Sequence, residues 1–571
     1  MPGKGTVQAG WRLQSASIGA LQEAVDGALA EAIRNDVSAR IWAHDHTLWK
    51  PDPKEISNRL GWLHVAEAMS ETSQRLRAFA DEVRRAGYRR ALLLGMGGSS
   101  LAPEVFLKTF GVAHGCIDLA VLDSTDPGAV LGHARSMKPQ ESLFIVSSKS
   151  GGTVEPLSFF KFFYSWVADG VGAERAGEHF VAITDPGSGL AALADRCHFR
   201  ASFLNDPNIG GRYSALSYFG LVPAALGGVD IGQLLASGIA MAHNCRAAVP
   251  APENPGIWLG AVLGEAAKSG RDKATFVVSR QIDSFGDWTE QLLAESTGKE
   301  GKGVVPVVGE ALGPPEVYGE DRLFIQLSLD GDDTGNAEVD ALAAAGQPVV
   351  RMSIGDRYHL GGQFFLWELA TAAAGYRLRI NPFDQPNVES AKERARQMVK
   401  SYSQTGALPE ERPTLSWDGI EGYGMVIGAD PPEAIRNFLR GAQPGAYVSL
   451  QAYLQPTAET DEALAALRTR IRDESRLAVT VGYGPRFLHS TGQLHKGDAG
   501  RGLSIQLTAD DTEDAPIPDE AGSPGSSLTF GVLKAAQAMG DRQALVDAGR
   551  KVIRFNFRGH VAGGMIRLAG R

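Results

Sequence analysis

Over the first ninety residues apolar side chains fall at helical spacing among charges, most clearly in Leu21–Ile33 and Trp62–Ala86, and predict helices that pack on a later core. At Ala91 the texture changes. Ala91-Leu92-Leu93-Leu94 is an unbroken apolar run closed by a glycine-rich loop, and Leu119–Leu122, Leu143–Val146 and Phe180–Ile183 repeat it, with helical stretches between most of them. Continuous apolar strands alternating with helices predict a parallel sheet covered on both faces, since neither side of such a strand tolerates water. This α/β unit closes near Ala225–Gly228. A second has strand-like runs at Ala274–Val278, Leu323–Leu327 and Pro348–Met352, with helices over Asp287–Leu293 and Gln363–Tyr376. From about Ser401 a third region places strands at Tyr447–Leu450 and Leu477–Val481 around an amphipathic helix, Asp461–Glu474. Asp510–Ser527, rich in Asp, Pro, Gly and Ser, predicts a long surface loop. No short-period repeat is present; two similar α/β units in tandem remain open.

Composition narrows the class. A chain of 571 residues makes about two to four domains. Hydrophobic residues at 43% and charged residues at 21% are an ordinary globular mix. Lys and Arg number 56 against 66 Asp and Glu, and the net charge of −10 argues against a general binder of nucleic acid or anionic membrane. Local basic pockets for anionic metabolites are still allowed. No apolar run reaches the ~20 residues of a membrane span, and the N-terminus does not read as a signal peptide. Cys116, Cys197 and Cys245 are far apart and odd in number, which suggests neither a disulfide framework nor a zinc site. A soluble cytoplasmic protein is expected.

Two loops carry candidate chemistry. Gly95-Met96-Gly97-Gly98-Ser99-Ser100 joins a strand to the helical pattern Leu101–Phe110. Free amides and a helix dipole make such a junction an anion site. A dinucleotide site is an alternative, with Asp123 at the next strand end as the ribose-binding acid, but Ser100 replaces the third glycine of that fingerprint. A purely structural turn is the third reading. Ser147-Ser148-Lys149-Ser150-Gly151-Gly152-Thr153-Val154-Glu155 follows another strand end and precedes the helical pattern Pro156–Trp166. Its hydroxyls and amides can donate to phosphate oxygens, although Thr153 is equally placed to cap the helix. Loops at successive strand ends of one sheet converge on one crevice, which favours a phosphorylated small molecule.

Here the sequence resembles the glucose-6-phosphate isomerase (phosphoglucose isomerase) family. Ser148-Lys149-Ser150-Gly151-Gly152-Thr153, after Gly97-Gly98-Ser99, is similar to its sugar-phosphate loops. Gly210-Gly211-Arg212-Tyr213-Ser214, with Gly220-Leu221-Val222-Pro223, resembles its glycine–arginine signature. Glu295-Ser296-Thr297-Gly298-Lys299 resembles the catalytic glutamate segment, and Asn381–Glu389 leading to Lys392 the lysine segment of compact bacterial members. Leu488-His489-Ser490-Thr491-Gly492-Gln493 resembles the histidine segment. The match spans roughly 90–500, and the motif order is most like the isomerase half of transaldolase–isomerase fusions, with no transaldolase barrel expected ahead of it.

The resemblance implies two tandem sugar-isomerase (SIS-type) parallel-sheet αβα sandwich domains plus a C-terminal α/β region. The boundaries expected are 1–90 for a helical segment, 91–235 and 250–400 for the two domains, and 401–571 for the region with the histidine motif. It implies reversible conversion of glucose 6-phosphate to fructose 6-phosphate through ring opening and an enediolate. Glu295 would be the C2–C1 base, Arg212 the stabiliser of enediolate charge, and His489 and Lys392 the ring-opening groups. Gly98, Ser99, Ser148, Lys149, Ser150 and Thr153 would bind the substrate. Family chain order would place the histidine at His359, which lacks the Leu-His-Ser pattern; His489 is preferred and His495 is a third candidate. Neither cofactor nor metal is expected. The partner is a phosphorylated hexose, without nucleic acid or membrane; a homodimer and a functional link to a transaldolase stay open. The rival readings are another sugar-phosphate isomerase on the same fold and a sugar-phosphate-binding regulator that could dispense with Glu295.

Overall fold

In the computed structural model, which describes residues 10–570, five parallel strands form a first sheet in the spatial order Asp118–Leu122, Arg90–Leu94, Ser142–Ser147, Phe180–Thr184 and Ala201–Leu204. Counted along the chain the order is 2-1-3-4-5. The winding direction therefore reverses between the neighbouring strands Arg90–Leu94 and Ser142–Ser147, and the two hydroxyl-bearing loops leave the carboxyl ends of those two strands. Side chains of Ser142–Ser147 and Phe180–Thr184 are all buried, as strands covered on both faces require.

The second sheet places Lys273–Val278, Val305–Val307, Arg322–Leu329 and Val349–Ile354 in the chain order 2-1-3-4, all parallel. The third repeats that order with Tyr447–Tyr453, Ala478–Tyr483, Gly502–Ala509 and Lys551–Phe557, and adds the antiparallel strands Ile420–Gly424 and Leu415–Trp417 at its edge. The helix Leu360–Leu378 belongs to one core that joins the first two sheets, and every residue of it from Leu360 to Gly375 is buried. The third sheet has its own core around Leu450, Ile505 and Phe555. Among the described residues no helix is long and apolar enough to cross a membrane.

Two expectations are corrected. The first ninety residues are not all helical, because Trp11–Ser17 is a strand at the edge of the second sheet, antiparallel to Val349–Ile354. An edge strand is half exposed and its partner lies far along the chain, and the apolar–polar alternation of Trp11-Arg12-Leu13-Gln14 breaks at Ser15, where the register shifts, so the local signal is weak. Trp62–Ala86 is likewise broken, into a 3-10 turn at Gly61–His64 and helices at Val65–Ser70 and Ser73–Arg85. Asp510–Ser527 is not a free loop. Pro516–Ile517 pairs with Leu528–Thr529, and Ala515 and Ile517 are buried in the first unit's core beside Phe159 and Phe163. Two apolar residues inside a polar run suffice to dock it.

Candidate active site

The first-sheet switch point opens into a cavity of about 330 Å³. On one side lies the turn Gly97–Ser99, which leads into the helix Leu101–Phe110. A Cβ on Gly98 would stand 2.0 Å from the carbonyl oxygen of Gly211, so only glycine lets this backbone touch the arginine turn Gly211–Tyr213. Gly98 and Ser99 both line the cavity. The second loop supplies Ser148, Ser150 and Thr153. Ser148 Oγ donates to Thr153 Oγ1 at 3.3 Å and accepts from the Gly151 amide at 3.2 Å. Thr153 occupies the N-cap of the helix Val154–Val171, yet its hydroxyl caps nothing. An 18-residue helix thus presents its N-terminus to the cavity without a side-chain cap, the arrangement that attracts phosphate. Lys149 also lines the cavity, but its ammonium is held by the Asp185 carboxylate and by Pro207 O at 2.9 Å, so it is not a free charge.

The facing wall comes from the second unit. Glu295 lies near the end of the helix Phe285–Thr297, with its carboxylate 3.1 Å from Arg212 Nη1. The guanidinium is fixed on every side. Its Nε donates to Ser296 Oγ at 2.7 Å, Nη1 to Gln385 Oε1 at 3.0 Å, and Nη2 to the carbonyls of Pro382 and Asp384 at 2.8 and 3.0 Å. The segment Asn381–Gln385 therefore clamps the arginine as well as leading to Lys392. Lys299 is buried against Asp384, and burial, with Arg212 nearby, lowers it to about 8. Gln291, one turn before Glu295, donates to Glu295 Oε2 at 3.0 Å and to the His489 carbonyl at 2.8 Å.

His489 enters from the third unit on the turn Arg486–His489, just beyond the strand Ala478–Tyr483. It lines the cavity with its Nε2 3.0 Å from Glu155 Oε1. Glu155 is buried at the first turn of Val154–Val171; burial pushes its carboxyl up, but the His489 charge and hydrogen bond outweigh that and hold it below the usual range. Lys392, on the helix Val388–Thr405, also lines the cavity and pairs with Glu389 at 2.9 Å. The other histidines lie elsewhere. His359 accepts the Asp356 amide at 3.1 Å in a capping box ahead of Leu360–Leu378, against Gly10. His495 is buried against Ser449 at 3.1 Å, and burial pushes it down to about 3. Asp123, the acid of the dinucleotide alternative, faces Arg486 at 3.2 Å and lines a separate cleft of about 710 Å³.

The structure thus brings together Glu295, Arg212, His489, Lys392, Gly98, Ser99, Ser148, Lys149, Ser150 and Thr153 around one cavity. The sequence reading missed Gln291, Glu155 and Gln385. Gln291 had a visible signal, four residues before Glu295 on a helix. Glu155 lies at the end of the second loop, where an acid in a helix's first turn is ordinary, and nothing local singles out Gln385.

Hydroxyl loops at a switch point, facing a carboxylate paired with a buried arginine, define a phosphosugar isomerase type of α/β protein. The family model for phosphoglucose isomerase matches residues 61–315. A glucose-6-phosphate isomerase of Thermus thermophilus is 30% identical over 390 residues, 59% of this chain and 89% of that protein. That of Parabacteroides distasonis is 27% identical over 385 residues, 58% of this chain and 85% of the relative. Among solved structures, a hypothetical protein from Thermus thermophilus superposes with a TM-score of 0.56 at 26% identity, covering 66% of this chain and 97% of that one. A glucose-6-phosphate isomerase from Chlamydia trachomatis gives 0.59 at 19% identity over 69% and 89%, a likeness of fold. The chain belongs to the phosphoglucose isomerase family.

Proposed function

We propose that the protein interconverts glucose 6-phosphate and fructose 6-phosphate. The observation that carries the reading is the Glu295–Arg212 pair at 3.1 Å, placed across one cavity from the hydroxyl loops and beside His489. The phosphate is held by Ser148, Ser150 and Thr153 with the amides at the start of Val154–Val171, and Ser99 lies toward the sugar. Binding this remote group orients the reacting carbons. His489, backed by Glu155, exchanges a proton between the ring oxygen and O1 as the ring opens, with Lys392 at the rim. Glu295 then removes the C2 proton of the open-chain aldose, the electrons pass through C1 to O1 as an enediolate, a proton moves from O2 to O1, and Glu295 returns its proton to C1 as the carbonyl forms at C2. Arg212, already desolvated and clamped, offsets the negative charge that builds on the enediolate oxygens without having to reorganise.

We read the chain as two tandem sugar-isomerase domains and a third α/β region, within the boundaries expected from sequence, with the Trp11–Ser17 strand assigned to the second domain. The same proposal places the protein in the cytoplasm and keeps a homodimer and a functional link to a transaldolase; light scattering and a pull-down test them. The deciding experiment supplies fructose 6-phosphate and reads glucose 6-phosphate with a coupled dehydrogenase. Turnover is expected, and its absence in well-folded protein overturns the proposal.

A further inference from the structure

Behind the cavity the third unit reaches across to the first. Gln537, on the helix Phe530–Asp547, donates from Nε2 to Glu155 Oε1 at 2.7 Å. The same oxygen faces His489 Nε2 at 3.0 Å. Glu155 and Gln537 are each 3% exposed, so water does not replace either partner. The orientation of the amide is set from its other end. Thr125 Oγ1 donates to Gln537 Oε1 at 2.8 Å, and a carboxylate accepts only from the NH2 group. The helix itself is registered at the same place: one turn earlier Lys534 Nζ binds Asp126 Oδ2 at 2.8 Å. One turn later, a Cβ at Gly540 would lie 2.6 Å from the Ala395 amide, so this helix also presses its backbone on the helix that carries Lys392.

We propose that Gln537 is a positioning residue for the His489–Glu155 pair, through which the third unit takes part in ring opening. The proposal rests on the ring-opening role given to His489 above. A buried carboxylate with one partner is free to turn about its Cγ–Cδ bond. A second donor on Oε1, anchored by Thr125, fixes the plane in which that oxygen meets the imidazole. With Nε2 held by Glu155, Nδ1 is left to exchange the proton with the sugar. Gln537 lies 382 residues from Glu155, so the contact exists only because the third unit docks on the first.

The test uses the full chain. Wild type, Gln537→Met and Gln537→Asn are compared for fructose 6-phosphate turnover; the asparagine keeps the amide but is one methylene too short, and carries the test should the methionine variant not fold. Ring opening alone is read in a Glu295→Gln background as enzyme-accelerated exchange between the anomers of glucose 6-phosphate by exchange NMR. Opening and reclosing the ring swaps anomers without touching C2. Loss of a hydrogen bond to a charged group predicts that kcat and anomer exchange both fall about tenfold, with KM and the thermal midpoint nearly unchanged. Folded variants with wild-type rates overturn the positioning role alone. A joint loss of kcat, KM and thermal midpoint, with anomer exchange per folded molecule intact, shows packing only and overturns it too. A folded wild type without turnover overturns the isomerase reading, and this inference with it.

Discussion

The two walls of the cavity are built in different ways. The wall proposed to hold the phosphate is local: two loops, each following an apolar strand, leave neighbouring parallel strands, so sheet pairing alone sets them side by side. The wall proposed to carry the proton transfers is assembled from three units. Arg212 comes from the end of the first, Glu295 and the Pro382–Gln385 clamp from the second, and His489 from beyond the second strand of the third. Its partners are joined by buried, charge-assisted contacts across long sequence separations, which demand accurate tertiary packing. The lesson is that binding can be encoded by loops on one scaffold, while proton transfer needs groups that only docking of units brings together.

That contrast can be broken at the catalytic wall first. Glu295→Gln is expected to lower kcat by about 10²–10⁴ or more while sugar-phosphate binding, measured by calorimetry, persists. A nearly active variant would remove Glu295 from the proton transfer. Next, His489→Ala should slow turnover of the ring-closed substrate about 10²-fold. His359→Ala, which loses only a helix cap, should keep its kinetics and lose about 0.5–2 kcal/mol in a denaturant titration. The reverse pattern would return the catalytic role to His359.

A pH test sharpens the comparison for the third unit. His495 is pushed down to about 3 by burial first, then by Lys496 and Arg550, from an ordinary value of 6.5. Between these values the unfolded chain binds the extra proton and the folded chain does not, so stability falls as pH drops below 6.5. The loss should be about 1–2 kcal/mol between pH 7 and pH 5. His495→Gln should flatten that part of the dependence, seen in urea midpoints at the two pH values; an unchanged slope would mean that His495 charges freely in the fold. The smallest effect belongs to the phosphate wall. Ser150→Ala removes one hydroxyl donor among several and should raise KM about fivefold to tenfold with kcat nearly constant. A fall in kcat instead would show that the two walls are not separable.

The amino-acid sequence by itself determined the first sheet, because each of its central strands is a continuous apolar run that has no other stable environment. It also determined the two glycine- and hydroxyl-bearing loops, whose residues are adjacent in the chain, and the body of the helix before Glu295, expected over Asp287–Leu293 and found over Phe285–Thr297. What only the tertiary structure decided lies where partners are remote. The position of His489 at the cavity, with His359 far from it, depended on the third unit docking its Arg486–His489 turn beside Glu155. The role of Asn381–Gln385 as an arginine clamp, the docking of Ala515 and Ile517, and the Trp11–Ser17 edge strand are of the same kind. In each case the residue's local pattern is that of a polar loop or a half-exposed edge. Its function comes from a hydrogen bond or a burial supplied by residues hundreds of positions away, and periodicity has no access to a contact made across that distance.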